Sequence, residues 1–300
     1  MSYAEKIVVF GGTSFIGTNL CNALSKQNCN VISINNPSTH KKCEFSNYNI
    51  HIDICIPYKY DEQLRKVAEL SGGHIDCIYI ASWAGTGDRN NEELNKASAD
   101  GLLYCISSIL QVAKCKKIIQ LGSQAEYGRG YNIVTESTPC NPLTAYGRQK
   151  LRFSRLLDEL CKGYDTSFIE FRIHSIYGRG RGGVIEWLIN QLINEDIVRF
   201  ETNCNQLFDY VYIDDCVEAL LLGKRYLRQG VYNISSGKRL RLRQYFEIVK
   251  EEVNPKCNLA FGDIYDMTSP DFVFDSSKLR TETGWETNFS FRMGIMEMVR

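Results

Sequence analysis

Short apolar runs alternate with longer amphipathic segments through the first 173 of 300 residues, and this alternation constrains the fold more than any other feature of the chain. KIVVFG (6–11), CNVISI (29–34), DCIYIAS (76–82), KKIIQLGS (116–123) and TSFIEFRI (166–173) have the length and β-branched content of buried strands. Between them, FIGTNLCNALSKQ (15–27), DEQLRKVAELS (61–71), NEELNKASADGLLYCISSILQVAKC (91–115) and AYGRQKLRFSRLLDELCKGY (145–164) read as helices. Strand and helix in strict alternation imply an α/β fold with a doubly wound parallel sheet. Beyond residue 173 the pattern loosens. GVIEWLINQLI (183–193) and RLRQYFEIVKEEV (241–253) look helical, with DYVYIDD (209–215) and GVYNISS (230–236) between them. The expected division is a sheet unit of residues 1–173 plus about 205–235, and a smaller C-terminal α/β part of about 174–204 and 236–300.

Composition narrows the class of partner. The net charge is zero and the pI about 6.9, so no global field favours nucleic acid or an anionic membrane. The densest basic cluster, RLRLR (239–243), reads as a solvated helix start. Twelve cysteines occur without a single CxxC pair, so no metal site is expected. Several sit within apolar runs, among them Cys77 and Cys105, where a free thiol acts as a small hydrophobe. That usage suits a reducing compartment. MSYAEKIVVFGG passes directly into a strand without a long apolar leader, and no 18-residue apolar run follows. The expectation is a cytoplasmic protein that does not span a membrane.

The first strand runs into GGTSFIG (11–17), a glycine-rich turn feeding a helix whose N-terminal amides can receive a pyrophosphate. This is the start of a Rossmann-type, dinucleotide-binding sheet. The spacing is G-x-x-G-x-x-G with Ser14 in place of the middle glycine. The second strand ends VISINNPSTHKK (31–42), with Asn35 where an NAD site carries an acid for the ribose 2′-hydroxyl. Removing that charge admits a 2′-phosphate, with Ser38, Thr39, Lys41 and Lys42 at hand, so NADP is favoured and NAD remains possible. Asp53, in HIDI (51–54), is a candidate for the adenine amino group. The expected cofactor contacts are Gly11, Thr13, Ser14, Phe15, Ile16, Gly17, Asn35, Asn36, Ser38, Lys41, Asp53, Ile54, Ala81, Ser82, Tyr146, Lys150 and Ile173.

TAYGRQK (144–150) places Tyr146 and Lys150 on one helix face. A nearby ammonium, with the positive charge of an oxidised nicotinamide, lowers a phenol from its free pKa of about 10. Such a pair can pass a hydroxyl proton near neutral pH. Ser123, at the end of its strand, would hydrogen-bond the same substrate oxygen.

With these motifs the chain resembles the extended short-chain dehydrogenase/reductase family of nucleotide-sugar epimerases, dehydratases and reductases. The resemblance spans nearly the whole chain. It is carried by GGTSFIG, HIDI, GSQAEYG (122–128), YGRQK (146–150), FRIHSIYG (171–178), DYVYIDD and DSSKLRTETGW (275–285). It implies that Ser123, Tyr146 and Lys150 are the catalytic triad and that the substrate is a nucleotide-linked sugar. Tyr146 would be the acid/base and Lys150 the ligand of the nicotinamide ribose. It also implies a homodimer formed through helices 91–115 and 145–164.

The same alignment removes two reactions. The family's 4,6-dehydratases carry an aspartate and a glutamate where this chain has Gln124 and Ala125. The related epimerase-reductases of GDP-fucose synthesis carry a cysteine at the place of Ala125. Hydride chemistry at one carbon remains, with Gln124 and Glu126 as substrate-orienting groups, or Glu126 as a surface salt bridge. Two readings survive. A 4-ketoreductase would reduce an NDP-4-keto-6-deoxyhexose for surface polysaccharide, favoured by Asn35 and by the short chain. A C4-epimerase would keep its NAD. A non-catalytic NADP-binding protein and a reductase of small carbonyl compounds are the remaining alternatives. The arginines that clamp the diphosphate in this family are replaced by Phe208 and Tyr265, which leaves Arg179, Arg181 and Ser175 for that task. Trp83 would wall the sugar pocket.

Overall fold

The computed structural model describes residues 4–267 and 271–300. Residues 1–3 of the first expected unit and 268–270 of the second lie outside the described residues. Seven strands form the central sheet: β1 (Lys6–Phe10), β2 (Asn30–Asn35), β3 (Tyr48–His51), β4 (Cys77–Ile80), β5 (Lys117–Ser123), β6 (Ser167–Ile173) and β7 (Gly230–Ile234). They lie in the order β7-β6-β5-β4-β1-β2-β3, and every neighbouring pair is parallel. The chain winds outward from β1 in one direction to β3, then returns to β4 on the other side of β1. The crevice beyond the strand ends at this reversal is where such sheets bind ligands.

Helices cover both faces, so the strands are apolar on both sides. On one face Ile7, Val9, Val31 and Ile119 pack with Leu20 and Leu24 of α1 (Phe15–Lys26). On the other, Val8, Phe10, Ile32 and Ile78 pack with Leu64 of α2 (Asp61–Leu70), Leu102 and Ile106 of α3 (Glu92–Val112), and Phe153 and Leu157 of α4 (Ala145–Gly163). Helix ends are set by side chains. Ser14, Asn91 and Thr144 each cap their helix by accepting an amide from three residues on. The Thr144 cap fixes Tyr146 in the first turn of α4.

After β6 comes α5 (Gly183–Asn194), whose Trp187 meets Phe200 edge-on. Phe200 belongs to strand Ile197–Thr202, which runs parallel to Asn258–Ile264. Its ring stacks on Phe246 and Phe261 at 4.8 and 5.0 Å. In DYVYIDD only Val211–Tyr212 is strand, and Ile213 opens the helix α6 (Ile213–Tyr226). Asp214 and Asp215 lie in its first turn and Lys224 and Arg225 in its last, which suits the helix dipole. Cys216 and Leu220 of α6 join the α1 face of the core. After α6 come α7 (Leu242–Val253), packed on α5, α8 (Ser277–Thr283) and α9 (Phe291–Val299). Among the described residues, no helix is long and apolar enough to cross a membrane, and no group of three or more potential metal ligands gathers.

Candidate active site

A cleft of about 650 Å³ opens at the carboxyl ends of the strands. Its floor begins at the glycine-rich turn. Gly11 has φ +83°, and a Cβ there would stand 2.9 Å from the backbone of Ala81. A Cβ on Gly17 would stand 2.0 Å from the Gly11 carbonyl oxygen, so glycine lets α1 close on the turn. Gly17→Ala is therefore expected to lower stability by about 1–3 kcal/mol, measured by urea unfolding. The Ser14 hydroxyl turns inward. It caps Gly17 N–H at 3.2 Å and donates to Ala81 O at 3.4 Å, so the extra atom does not block the turn's open side. A cradle of this shape fits a dinucleotide pyrophosphate.

At the far end of the turn Asn35 is buried, and its amide is already engaged. Its Oδ1 accepts from Thr13 N–H and from the Ser33 hydroxyl, each at 3.0 Å, and its Nδ2 donates to Asn49 Oδ1 at 3.1 Å. Asn35 thus ties the turn to β2 while lining the cleft beside Asn36, Thr39 and Lys41.

Across the cleft, β5 and α4 bring Ser123, Tyr146 and Lys150 to one wall. Ser123 is the last residue of β5 and caps a short helix, Gln124–Glu126: its hydroxyl accepts from Ala125 N–H at 3.2 Å. The Tyr146 ring meets Trp83 edge-on, with centroids 6.1 Å apart. Lys150 donates to Leu121 O at 2.8 Å, and its Nζ lies 4.4 Å from the Trp83 ring centroid. Burial pushes Lys150 down to about 8, against the pull of the Glu126–Glu170 pair. Burial also raises the Tyr146 phenol, while the Ser123 hydroxyl and Arg89 pull it the other way. In the protein without cofactor, burial is the largest influence on this phenol.

Of the other expected contacts, Gly11, Thr13, Ser14, Ile16, Ile54, Ala81, Ser82 and Ile173 line the cleft, as do Trp83, Ser175 and Arg181. Seven do not. Gly17 packs within the turn, and Phe15 lies beneath the Arg181 guanidinium at 5.8 Å. Ser38 is in an exposed turn that Asn36 caps. Asp53 accepts from Cys55 N–H. Gln124 is buried away from the cleft, and Glu126 is fully buried against Ser123 N–H and Arg172, neither orienting substrate nor on the surface. Arg179 donates to the carbonyls of Glu297 and Met298 at the end of α9, where cations are favoured.

The cleft lining also includes residues not assigned from sequence, among them Arg89, His174 and Tyr210. Arg89 stands 5.3 Å from the Tyr146 ring centroid, and its carbonyl accepts Tyr146 N–H at 2.8 Å. Its signal was present in WAGTGDRN (83–90), but only the fold brings that loop to α4. His174 packs among Phe208, Phe272 and Phe274, and burial lowers it to about 4, so it is neutral. The described residues lining the cleft include four cations, Lys41, Arg89, Lys150 and Arg181, and no carboxylate.

Fold and cleft define the class: an α/β protein built to hold a dinucleotide at the reversal point of a parallel sheet. The model of the NAD dependent epimerase/dehydratase family matches residues 7–235, and the chain belongs to that family of enzymes. It is 25% identical to CDP-abequose synthase of Salmonella muenchen, covering 98% of this chain and 97% of that one. It is 22% identical to dTDP-4-dehydro-6-deoxyglucose reductase of Escherichia coli, covering 98% and 96%. Among solved structures, the UDP-N-acetylglucosamine 4-epimerase of Methanobrevibacter ruminantium M1 superposes with a TM-score of 0.84 at 20% identity, over 99% of both chains. That likeness shows the fold.

Proposed function

We propose that this enzyme is an NADPH-dependent 4-ketoreductase acting on a nucleotide-linked 4-keto-6-deoxyhexose. One observation carries the reading: the described cleft lining has four cations and no carboxylate. A cleft of that charge favours a cofactor with a 2′-phosphate and a substrate with a diphosphate. Its described lining also lacks the aspartate and glutamate that the family's dehydratases carry. The similarity to a dTDP-4-dehydro-6-deoxyglucose reductase supports the same reading.

In this reading Gly11, Thr13 and Ile16 hold the pyrophosphate, Asn36 and Lys41 the adenosine end, and Lys150 the nicotinamide ribose. The cofactor supplies the hydride. Tyr146 gives its proton to the C4 oxygen, and Ser123 hydrogen-bonds that oxygen. The burial that keeps Tyr146 a phenol suits reduction, in which the tyrosine must start protonated. An epimerase has to start by removing a proton. Arg181 and Arg89 are the cations available to the diphosphate. A homodimer through α3 and α4 belongs to the same proposal.

Lys150 supplies a pH test. Its ammonium is lost as pH rises through about 8, so NADPH affinity should fall on the alkaline side. Lys150→Met should bind weakly at every pH and show no such step, as read by fluorescence titration.

The deciding experiment is release of bound cofactor from the purified protein with mass spectrometry, then titration of the stripped protein with NADH and NADPH. NADPH consumption with dTDP- and CDP-4-keto-6-deoxyglucose completes it. Preference for NADPH with stoichiometric consumption supports the reductase. Retained NAD(H) and no net consumption would replace it with a C4-epimerase.

A further inference from the structure

Behind the cleft wall lies an ionic cluster with no part in the chemistry described so far. Glu126, Glu170 and Gln120 are fully buried and Arg172 is 5% exposed. Glu126 meets Arg172 Nε at 3.3 Å, and Arg172 meets Glu170 at 3.2 Å. Gln120 donates to Glu170 at 3.4 Å, and the guanidinium lies 4.6 Å from the Tyr127 ring centroid. Oε2 of both glutamates and Nε of Arg172 make no hydrogen bond of good geometry.

The cluster closes over β5 at Gly122. A Cβ there would lie 2.9 Å from Oε1 of both Glu126 and Glu170, so glycine alone leaves room for the two carboxylates. Gly122 separates two residues that serve the active site. On one side Leu121 O accepts from Lys150 at 2.8 Å. On the other, Ser123 N–H donates to Glu126 Oε1 at 2.7 Å.

We propose that Glu126 is a positioning residue: by accepting the Ser123 amide it sets the serine hydroxyl against the Tyr146 phenol. Burial first, and the adjacent Glu170 second, hold the Glu126 carboxyl well above the usual carboxylate range. The other titratable groups at the cluster are Lys150, across Leu121, and Tyr127. The catalytic half of this proposal rests on the reductase reading; the hold on Ser123 does not.

The test compares Glu126→Gln with Glu126→Ala, and with Glu126→Met, closer in volume, should the alanine variant not fold. Hydrogen exchange of the Ser123 amide reads the hold without any substrate. Turnover of dTDP-4-keto-6-deoxyglucose, alone and with Ser123→Ala, reads the consequence. Glutamine keeps an acceptor for the Ser123 amide, so exchange and kcat should stay within about threefold of wild type. Alanine should speed Ser123 exchange and lower kcat by about tenfold or more, with KM for NADPH unchanged. Added to Ser123→Ala it should cost nothing further, because Glu126 acts through that serine. An alanine variant with wild-type exchange and kcat would overturn the proposal. So would a further loss on top of Ser123→Ala, or a glutamine variant as damaged as the alanine one. If wild type fails to reduce the sugar, the reductase reading fails, and the exchange data alone decide whether Glu126 holds Ser123.

Discussion

Tyr146→Phe should lower kcat for reduction of dTDP-4-keto-6-deoxyglucose by about 10²–10⁴-fold, the range for removing a positioned proton donor, while the Kd for NADPH changes little. The split follows from what the substitution removes. The ring keeps its edge contact with Trp83 and its place beside Arg89. The backbone N–H still donates to Arg89 O, so the first turn of α4 stays docked. What is lost is the phenolic proton beside Ser123, on a group whose pKa burial raises. Ser123 alone is a poor replacement, because its hydroxyl is also the cap of the Gln124–Glu126 turn. Stopped-flow measurement of NADPH oxidation, with fluorescence titration of NADPH, separates the two effects. Comparable losses in both would make Tyr146 a packing residue of the cleft and withdraw its chemical role.

What the sequence made legible was local. Tyr146 and Lys150 are four residues apart on one helix, and GGTSFIG stands directly after a strand, so spacing alone placed both. The sheet followed from alternation, and β7 completes it by pairing with β6 from more than fifty residues away. The misses arose where a side chain's partner is distant in the chain. Glu126 looks like any acid in a polar turn, and only the neighbouring strand reveals that Arg172 and Glu170 enclose it. Arg179 and Arg181 share one glycine-rich loop, but α9 takes the first and the cleft receives the second. DYVYIDD was given no element from sequence, and its two aspartates mark the first turn of α6. The burial of Tyr146 was out of reach of the sequence for a different reason. Charge proximity can be read from spacing, but desolvation depends on the packed surroundings.

Asn35→Asp should weaken NADPH binding by about ten- to a hundredfold, a carboxylate facing a 2′-phosphate at short range across a partly solvated cleft. NADH should lose much less, so the preference shifts toward it. The substitution places a carboxylate among the described cleft-lining residues, which have none, beside Lys41. It also disturbs a buried network. Asp keeps acceptors for Thr13 N–H and the Ser33 hydroxyl, but loses the donor that faces Asn49 Oδ1 at 3.1 Å. Asn49 cannot readily turn to compensate, since its Oδ1 also accepts from Cys43 N–H at 2.7 Å and its Nδ2 donates to Cys43 O at 3.1 Å. Two acceptors then face each other out of water, at a cost of about 1–3 kcal/mol. The variant should therefore unfold at lower urea as well as change its cofactor. Lys41→Ala serves as the control: it should weaken NADPH alone and leave stability unchanged, because Lys41 is exposed. If Asn35→Asp loses stability yet binds both cofactors as before, Asn35 is a tie between turn and strand, and the choice of cofactor lies in the loop that carries Thr39 and Lys41.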